Sequence, residues 1–192
     1  MSESFPENSP TVLLIIDMMN DLEFEDGEAM LPGAVSAAKA IAKLKQDARQ
    51  RGVPIVYVND NFGKWRSNFA QIVDHCLHDG VRGKELVELL EPDEDDYFVI
   101  KSKHSGFYGT TLEILLRNMG ARHLVLTGIT ADICVLFTAQ DAYMRDYDIV
   151  VPRDCVACVE EDTKLFTLKH LERACKATIV DTDNMKWDFD SE

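Results

Sequence analysis

Short apolar runs alternate along the chain with longer segments whose apolar residues recur at helical spacing. The first run, residues 11–16, is continuous and rich in β-branched residues, which is typical of a strand buried on both faces of a sheet. A strand of this kind belongs in the middle of a parallel sheet. Similar runs predict five more strands, at residues 53–58, at 97–100, from Leu124 onward, at 147–151 and at 177–180.

Helical spacing predicts the segments between these runs. Residues 34–51 place Val35, Ala38 and Ile41 on one face, and Gly52 follows as a C-cap. The acidic stretch at 18–31 is predicted to be a loop that ends at Pro32-Gly33. Further helices are predicted at residues 68–77, 83–90, 110–119, 133–145 and 161–174.

Regular alternation of strands and helices predicts an α/β fold. We expect a doubly wound, mainly parallel six-stranded sheet with helices on both faces, in three α/β/α layers. No internal repeat or linker divides the chain. We therefore expect a flexible N-terminus at 1–10, one domain at 11–180 and an acidic tail at 181–192. Trp187 and Phe189 in that tail are candidates for docking on the domain or on a partner subunit.

Charge and cysteine content narrow the function classes. The 192 residues hold 20 Lys and Arg against 34 Asp and Glu, a net charge of -14, which disfavours nucleic acid and anionic membranes as partners. No apolar run reaches spanning length and the N-terminus lacks a signal pattern, so we expect a cytoplasmic protein. An odd number of cysteines, five, predicts reduced thiols rather than a disulfide framework.

Cys134 lies where the fourth predicted strand turns sharply into a helix. Free backbone N–H groups and the positive end of the helix dipole favour a thiolate at such a position. The same N–H groups can hold a developing oxyanion. The alternative is a small core residue, because cysteine is among the most buried residue types.

Two more ionisable residues stand at predicted strand ends. Asp17 ends the first strand and Lys101 ends the third, and ligands of open parallel sheets bind outside the carboxyl ends of the strands. A carboxylate can take the thiol proton, and a lysine near both favours the charged forms. The alternative is that Asp17 and Lys101 only form an ion pair.

Three motifs carry these residues. They are Leu14-Ile15-Ile16-Asp17-Met18 with Asn20-Asp21, Val99-Ile100-Lys101 followed by Ser105-Gly106-Phe107-Tyr108-Gly109-Thr110, and Thr127-Gly128-Ile129-Thr130-Ala131-Asp132-Ile133-Cys134-Val135. In the order and separation of these motifs, the chain from about 11 to 180 resembles the isochorismatase-like cysteine hydrolases, a family that includes nicotinamidase and N-carbamoylsarcosine amidohydrolase.

The resemblance implies a catalytic triad in which Asp17 is the base, Cys134 the nucleophile and Lys101 tunes both. It also implies a cis peptide between Ile129 and Thr130, an oxyanion hole from the N–H groups of Thr130 and Cys134, and a thioester intermediate cleaved by water. A homo-oligomer, dimer or larger, is implied as well. Cys134 favours a small amide or carbamoyl-type substrate, because true isochorismatases lack the nucleophilic cysteine.

Departures from the family pattern concern the pocket and the metal. Met19 and Leu22 stand where the family often has Gln and Phe, so the resemblance does not determine the wall of the substrate pocket. Asp60 matches the metal-binding Asp of nicotinamidases, but Asn61 and Phe62 follow it where histidines are expected. His75 and His78 are either ligands or a solvated helix face. We predict no metal and no cofactor, and we do not expect nicotinamide as substrate.

The remaining candidates are pocket residues and a second cysteine pair. Cys155 and Cys158 form a CxxC pair, which is either core cysteine or the centre of a thiol redox protein. A non-catalytic binding protein with the same fold is the third hypothesis. The pocket candidates are Asn59, Phe62, Trp65, His104 and Phe107, although core packing is the usual role of an aromatic residue.

Overall fold

The computed structural model describes residues 7–187. Within that range the strands are β1 (Thr11–Ile16), β2 (Ile55–Asp60), β3 (Tyr97–Lys101), β4 (His123–Ile129), β5 (Asp148–Pro152), β6 (Val156–Ala157) and β7 (Thr178–Val180). The α-helices are α1 (Gly27–Gln50), α2 (Phe69–His78), α3 (Lys84–Leu89), α4 (Leu112–Met119), α5 (Leu136–Tyr143) and α6 (Glu161–Cys175).

All strands of the sheet run parallel, in the order β3-β2-β1-β4-β5-β7. Chain connections go outward to one side from β1 and to the other side from β4. A crevice therefore opens between the carboxyl ends of β1 and β4, which is where ligands bind in folds of this type. The short β6 lies outside this order and extends the sheet beside the end of β4.

Helices cover both faces of the sheet, so the predicted three-layer α/β fold is confirmed. One buried cluster joins α1, α2 and α3 to the first face, and a second joins α4, α5 and α6 to the other. Every residue of β1 is buried, as expected of a central parallel strand. Among residues 7–187, no helix combines the length and apolar character needed to cross a membrane.

Helix α1 begins earlier than the sequence predicted. The expected loop at 18–31 gives way to helix at Gly27, and Pro32 lies inside the helix. Met30 and Ala34 bury the early turns against the sheet, and this packing outweighs the one backbone hydrogen bond that proline cannot make. Gly27 packs so closely on the Leu22 carbonyl that a Cβ would lie 1.9 Å from its oxygen.

The boundaries of other elements also differ. Strand β2 runs to Asp60, so Asn59 and Asp60 belong to the strand, which was predicted to end at residue 58. The two residues of β6 were predicted as no strand at all, because so short a run carries no periodic signal. The other predicted strands and helices agree with the structure to within a few residues at each end.

Both ends of the described chain attach to the domain. Ser9, in the expected flexible N-terminus, donates its N–H to the Met119 carbonyl at 2.8 Å. Trp187 docks on α1, where its indole N–H donates to Asp47 at 2.6 Å. Phe189, the other docking candidate of the tail, lies outside the described residues.

Gly128 lies at a close approach of β4 to β1 beside the crevice. Its φ is +117°, a region that favours glycine, and a Cβ there would lie 1.9 Å from the Ile16 carbonyl oxygen. The residue after this contact pair on β1 is Asp17, whose own φ is +52°. Glycine at 128 is therefore required for the backbone geometry from which the candidate site is built.

Candidate active site

The three predicted catalytic residues meet at the carboxyl edge of the sheet. Asp17 follows β1, Lys101 is the last residue of β3, and Cys134 lies in a π-helical turn (Ala131–Val135) that joins β4 to α5. They are separated by at least thirty positions in sequence, and the parallel sheet brings them together because every strand ends at this edge.

Lys101 is the centre of the cluster. Its ammonium lies 2.7 Å from the Asp17 carboxylate and donates to the Cys134 sulfur at 3.5 Å. The side chain is fully buried, with an exposed fraction of 0%. A buried lysine needs charged or polar partners, and these contacts supply them. Asp17 and Lys101 thus form an ion pair, and the same ammonium also contacts the thiol.

Asp60 is a fourth member of the cluster; the sequence analysis considered it only as the counterpart of the metal-binding Asp of nicotinamidases. Its carboxylate lies 3.2 Å from the Lys101 ammonium, and its backbone N–H donates to Asp17 at 2.6 Å. The register of β2 and β3 pairs it with Lys101 directly. Asp60 could have been found as a polar residue at the carboxyl end of β2, the strand beside β1. It was missed because the sequence predicted that this strand ends at residue 58.

The electrostatics at Cys134 differ from the expectation of a favoured thiolate. Burial raises the pKa of the Cys134 thiol to about 12, and the negative charge of Asp17 acts in the same direction against the opposing effect of Lys101. Hydrogen bonding with the Asp17 carboxylate raises the pKa of Cys134 further. Cys134 therefore rests as a thiol beside a base.

Asp17 and Lys101 have the charge states that suit this arrangement. Burial raises the pKa of Asp17, although Lys101 and the hydrogen bond from Cys134 oppose the shift. Burial alone would lower the pKa of Lys101, but Asp17, Cys134 and Asp60 outweigh it and raise that pKa. Lys101 thus stays protonated, while Asp17 is a stronger base than an exposed aspartate.

The turn that carries Cys134 is held by its own backbone and by α5. The peptide bond between Ile129 and Thr130 is cis, and the Thr130 carbonyl accepts from the N–H groups of Ile133 and Val135 at 3.2 Å each. Within residues 7–187, the buried Thr130 hydroxyl has no hydrogen-bond partner. Of the two residues predicted to form the oxyanion hole, Cys134 lies in this turn and Thr130 directly precedes it.

A buried threonine connects the turn to the loop after β3. The Thr138 hydroxyl donates to the Cys134 carbonyl at 2.7 Å and accepts from the Gly106 N–H at 3.0 Å. One helical turn further, Asp141 accepts a hydrogen bond from Ser105. Since Lys101 precedes this loop, these contacts tie the strand end of Lys101 to the turn of Cys134. No sequence pattern identified Thr138 beforehand.

Two of the expected pocket residues are committed elsewhere. Asn59 is fully buried, and its amide exchanges hydrogen bonds with the backbone of Met19 at 2.9 and 3.0 Å, so it braces the loop after β1. Phe107 is buried in the core, where its ring lies under the Arg145 guanidinium, 4.9 Å from its centroid. Both side chains are thus held by contacts within the protein, and their predicted place in the pocket stays a prediction.

The other pocket candidates lie on loops at the carboxyl edge. Phe62 and Trp65 follow β2 and are 39% and 78% exposed. His104 follows β3 and packs against Phe137 of α5, with ring centroids 5.3 Å apart. These three side chains stay available to a bound molecule, and their roles remain predictions.

His75 and His78 of α2 contact carboxylates. His75 contacts Asp79 at 2.7 Å and Asp21 at 3.2 Å, and these hydrogen bonds raise its pKa. His78 contacts Asp74 of its own helix at 2.9 Å. In the part of the chain that the structure describes, no group of three or more His, Cys, Asp or Glu side chains is placed to hold a metal ion.

Cys155 and Cys158 point to different partners. Cys155 lies 3.2 Å from the Thr182 hydroxyl, whereas Cys158 donates to Asp132 at 3.2 Å. The two residues between them form β6, and an extended segment of that length separates the two Cα atoms by about 10 Å. A disulfide needs less than about 7 Å, so this pair cannot close without unravelling β6.

Comparison with known proteins agrees with the geometry. A family model described as the Isochorismatase domain matches residues 11–184. The uncharacterized isochorismatase family protein YaaI of Bacillus subtilis is 42% identical over 168 residues, which is 88% of this chain and 92% of that protein.

Two solved structures extend the comparison. N-carbamoylsarcosine amidase from Thermoplasma acidophilum superposes with a TM-score of 0.72 at 32% identity, covering 93% of this chain and 99% of that one. Pyrazinamidase/nicotinamidase from Streptococcus mutans UA159 gives 0.69 at 30% identity, covering 88% and 99%. The family resemblance of the three motifs is thereby confirmed, and the chain belongs to the isochorismatase family of hydrolases.

Proposed function

We propose that the protein hydrolyses the C–N bond of a small amide or carbamoyl compound, with Cys134 as nucleophile. The observation that carries the proposal is the contact set around Lys101, whose ammonium lies within hydrogen-bonding distance of both a base, Asp17, and a thiol, Cys134. Two neighbours in the fold comparison are named as amidases, which supports the same class of reaction.

In the first step, Asp17 accepts the proton of the Cys134 thiol as the sulfur attacks the amide carbonyl carbon. Burial keeps Asp17 basic, and Lys101 stabilises the negative charge that moves between carboxylate and sulfur. We assign the oxyanion hole to the N–H groups of Thr130 and Cys134 in the turn after β4.

The second half of the reaction returns every group to its starting state. The tetrahedral intermediate collapses, the C–N bond breaks, and the departing nitrogen takes the proton that Asp17 holds. A thioester to Cys134 remains. Water then attacks the thioester carbonyl while Asp17 accepts a proton, and release of the acid restores the thiol. The high thiol pKa fits this scheme, because proton transfer accompanies attack and no free thiolate is needed.

A panel of small primary amides and carbamoyl compounds, scored by ammonia release, tests the proposal. We expect Cys134→Ala to abolish release on the substrate that the wild type hydrolyses, while Cys158→Ala retains it. Cys158 is the matched control, because it is half-buried like Cys134 but hydrogen-bonds Asp132 outside the cluster. Mass spectrometry of rapidly quenched enzyme should show an acyl group on the peptide with Cys134. Full turnover by Cys134→Ala would overturn the assignment.

The thiol redox alternative predicts a reversible disulfide between Cys155 and Cys158. The separation imposed by β6 speaks against it, and a thiol count before and after mild oxidation decides the question. A non-catalytic binding role predicts a complex that survives Cys134→Ala and an inert amide panel. The directed contacts of the thiol favour hydrolysis over both.

We also propose that the protein works as a homo-oligomer in the cytoplasm, with a small molecule as its other partner. Ile133 and Phe137, one helical turn apart beside Cys134, leave 38% and 46% of their surface exposed in the single chain. Apolar side chains concentrated near a site are typical of surfaces that a partner covers. Sedimentation velocity measures the assembly state directly.

A further inference from the structure

The charged groups of the site differ in how far they reach solvent. The Lys101 side chain is 0% exposed and that of Asp17 is 6% exposed, whereas the Asp60 side chain is 25% exposed. The cation of the cluster is thus beyond the reach of a bound molecule. The most accessible charge that the cluster presents is a carboxylate.

The cluster also carries an excess of negative charge. Lys101 is shared by two carboxylates, at 2.7 Å from Asp17 and 3.2 Å from Asp60, while the thiol is neutral at rest. Transfer of the thiol proton to Asp17 moves the negative charge to sulfur and leaves the total unchanged. One uncompensated negative charge therefore remains through the first step of the proposed reaction.

Apolar side chains accompany this charge at the same edge of the sheet. Phe62 follows β2, and Val159 follows β6. Each is about two-fifths exposed, at 39% and 41%. These positions present hydrocarbon surface, which does not offset the charge of a bound anion.

We infer that the site is selective by charge and takes amides whose remaining part is neutral or cationic, while it rejects amides that bear a carboxylate close to the scissile bond. Asp60 is the specificity-determining residue. This inference rests on the proposed function, because it names the class of substrate for the same site. A substrate carboxylate near Asp60 is repelled, because Lys101, the counter-ion of Asp60, is already shared with Asp17. Repulsion between two unit charges at contact distance weakens binding about fivefold even in water.

Two alkylating reagents test the inference without a known substrate. Iodoacetamide and iodoacetate both transfer a two-carbon group to a thiol and release iodide, and they differ by one negative charge. The rate at Cys134 is read by mass spectrometry of its peptide and normalised to the rates of the same reagents with a small neutral thiol. We expect the normalised ratio of iodoacetate to iodoacetamide to be about fivefold below unity or lower.

Substitution of Asp60 assigns the effect to one residue. Asp60→Asn keeps the shape of the side chain, and we expect it to raise the ratio toward unity. Asp95→Asn is the control, because it makes the same change in net charge on an exposed residue before β3, at the opposite end of the strand from Lys101. We expect the control to leave the ratio unchanged. Since both reagents attack the same sulfur, the ratio cancels changes in its intrinsic reactivity.

The outcomes separate this inference from the proposed function. A normalised ratio near unity in the wild type overturns the charge selectivity and leaves the nucleophile intact. An equal rise of the ratio in both variants overturns the role of Asp60. If Cys134 reacts with neither reagent while an outlying cysteine does, the proposed nucleophile fails and the selectivity argued for it fails too.

Discussion

Two buried lysines lie at opposite ends of β3, and they show how similar burial serves different purposes. Lys101 ends the strand, while Lys45 reaches from α1 to the loop that leads into it. Their side chains are 0% and 8% exposed. Lys101 contacts two carboxylates and a thiol, whereas Lys45 bonds the Tyr57 hydroxyl and the Glu91 carbonyl, both at 2.8 Å.

The partners decide the direction of each pKa shift. Burial lowers the pKa of Lys45, and although Asp96 opposes this shift at 3.1 Å, the neighbouring Arg49 reinforces it. At Lys101 burial acts in the same direction, but the carboxylates outweigh it and the pKa is raised. Lys45 thus supplies hydrogen bonds to buried polar groups beside α1. Lys101 instead carries a charge that the proposed chemistry uses.

Exchange of each lysine for methionine gives the largest expected difference. Lys101→Met leaves Asp17 and Asp60 without their shared cation, so we expect a loss of about 3–5 kcal/mol in the free energy of unfolding and no detectable amide hydrolysis. Lys45→Met removes a charge that burial already disfavours, and Asp96 keeps Arg49 at 2.8 Å, so about 1–2 kcal/mol is expected with activity retained.

Urea denaturation followed by circular dichroism measures both variants, with ammonia release as the activity assay. Equal stability losses in the two variants would contradict the distinction between them. Loss of hydrolysis in Lys45→Met with the fold intact would show that the two ends of β3 are functionally connected.

Thr138 offers a more local way to perturb the site end. Thr138→Val removes the hydroxyl that links the Cys134 carbonyl to the Gly106 N–H, so we expect alkylation of Cys134 and hydrolysis to fall about tenfold, with about 1–3 kcal/mol of stability lost. Thr138→Ser should restore both.

The matched control for Thr138 is Thr167, a buried threonine of α6 that donates to the carbonyl one turn earlier at 2.8 Å. We expect Thr167→Val to cost stability without any change at Cys134. If both variants alter Cys134 reactivity in proportion to their stability loss, Thr138 has only a structural role.

Alkaline pH should separate the lysines by the sign of their effect. The raised pKa of Lys101 means that its contribution to stability is fully present below the unfolded value of about 10.4 and is lost as pH rises through the folded pKa. The lowered pKa of Lys45 has the opposite consequence. Its charge lowers stability below the folded pKa, and this cost disappears as pH rises from the folded pKa to the unfolded value of about 10.4.

The measurement is the difference in unfolding free energy between wild type and each methionine variant from pH 8 to 11. A lysine pKa that differs by one between the folded and the unfolded protein changes this free energy by about 1.4 kcal/mol. The unfolding free energy of the wild type minus that of Lys101→Met should decrease at the alkaline end of this range. The same difference for Lys45→Met should increase. Parallel curves for the two variants would contradict the assigned directions.

The smallest expected effect concerns the phenol that Lys45 contacts. The Tyr57 hydroxyl donates to the Leu90 carbonyl at 2.7 Å and accepts from Lys45, so Tyr57→Phe should cost about 1 kcal/mol. We expect the reactivity of Cys134 to stay at the wild-type level, because this network ends at the far side of β3. Thermal unfolding and iodoacetamide alkylation of the same sample check both expectations.

Much of the fold was predictable from sequence, because a doubly wound sheet leaves strong local signals. Six of the strands appear as apolar runs, and residues 133–145 and 161–174 show helical spacing close to the observed helices. The signal failed where tertiary packing overrides it. Pro32 lies within α1, and β6 exists only because two residues pair with the end of β4.

The candidate site divides in the same way. Asp17, Lys101 and Cys134 were predictable, because each is a reactive side chain directly after an apolar run or at a strand-to-helix turn. Asn59 and Phe107, which were predicted to line the pocket, are buried, since sequence does not reveal that an amide hydrogen-bonds the backbone or that a ring packs in the core.

By itself, then, the sequence determined the order of the elements, the residue types at the strand ends and the absence of histidines beside Asp60. The tertiary structure alone decided that Asp17 and Asp60 share the Lys101 ammonium and how deeply these side chains are buried. Those distances and that burial arise from segments far apart in the chain. They raise the pKa of the Cys134 thiol, where local reasoning from the helix dipole had predicted a thiolate.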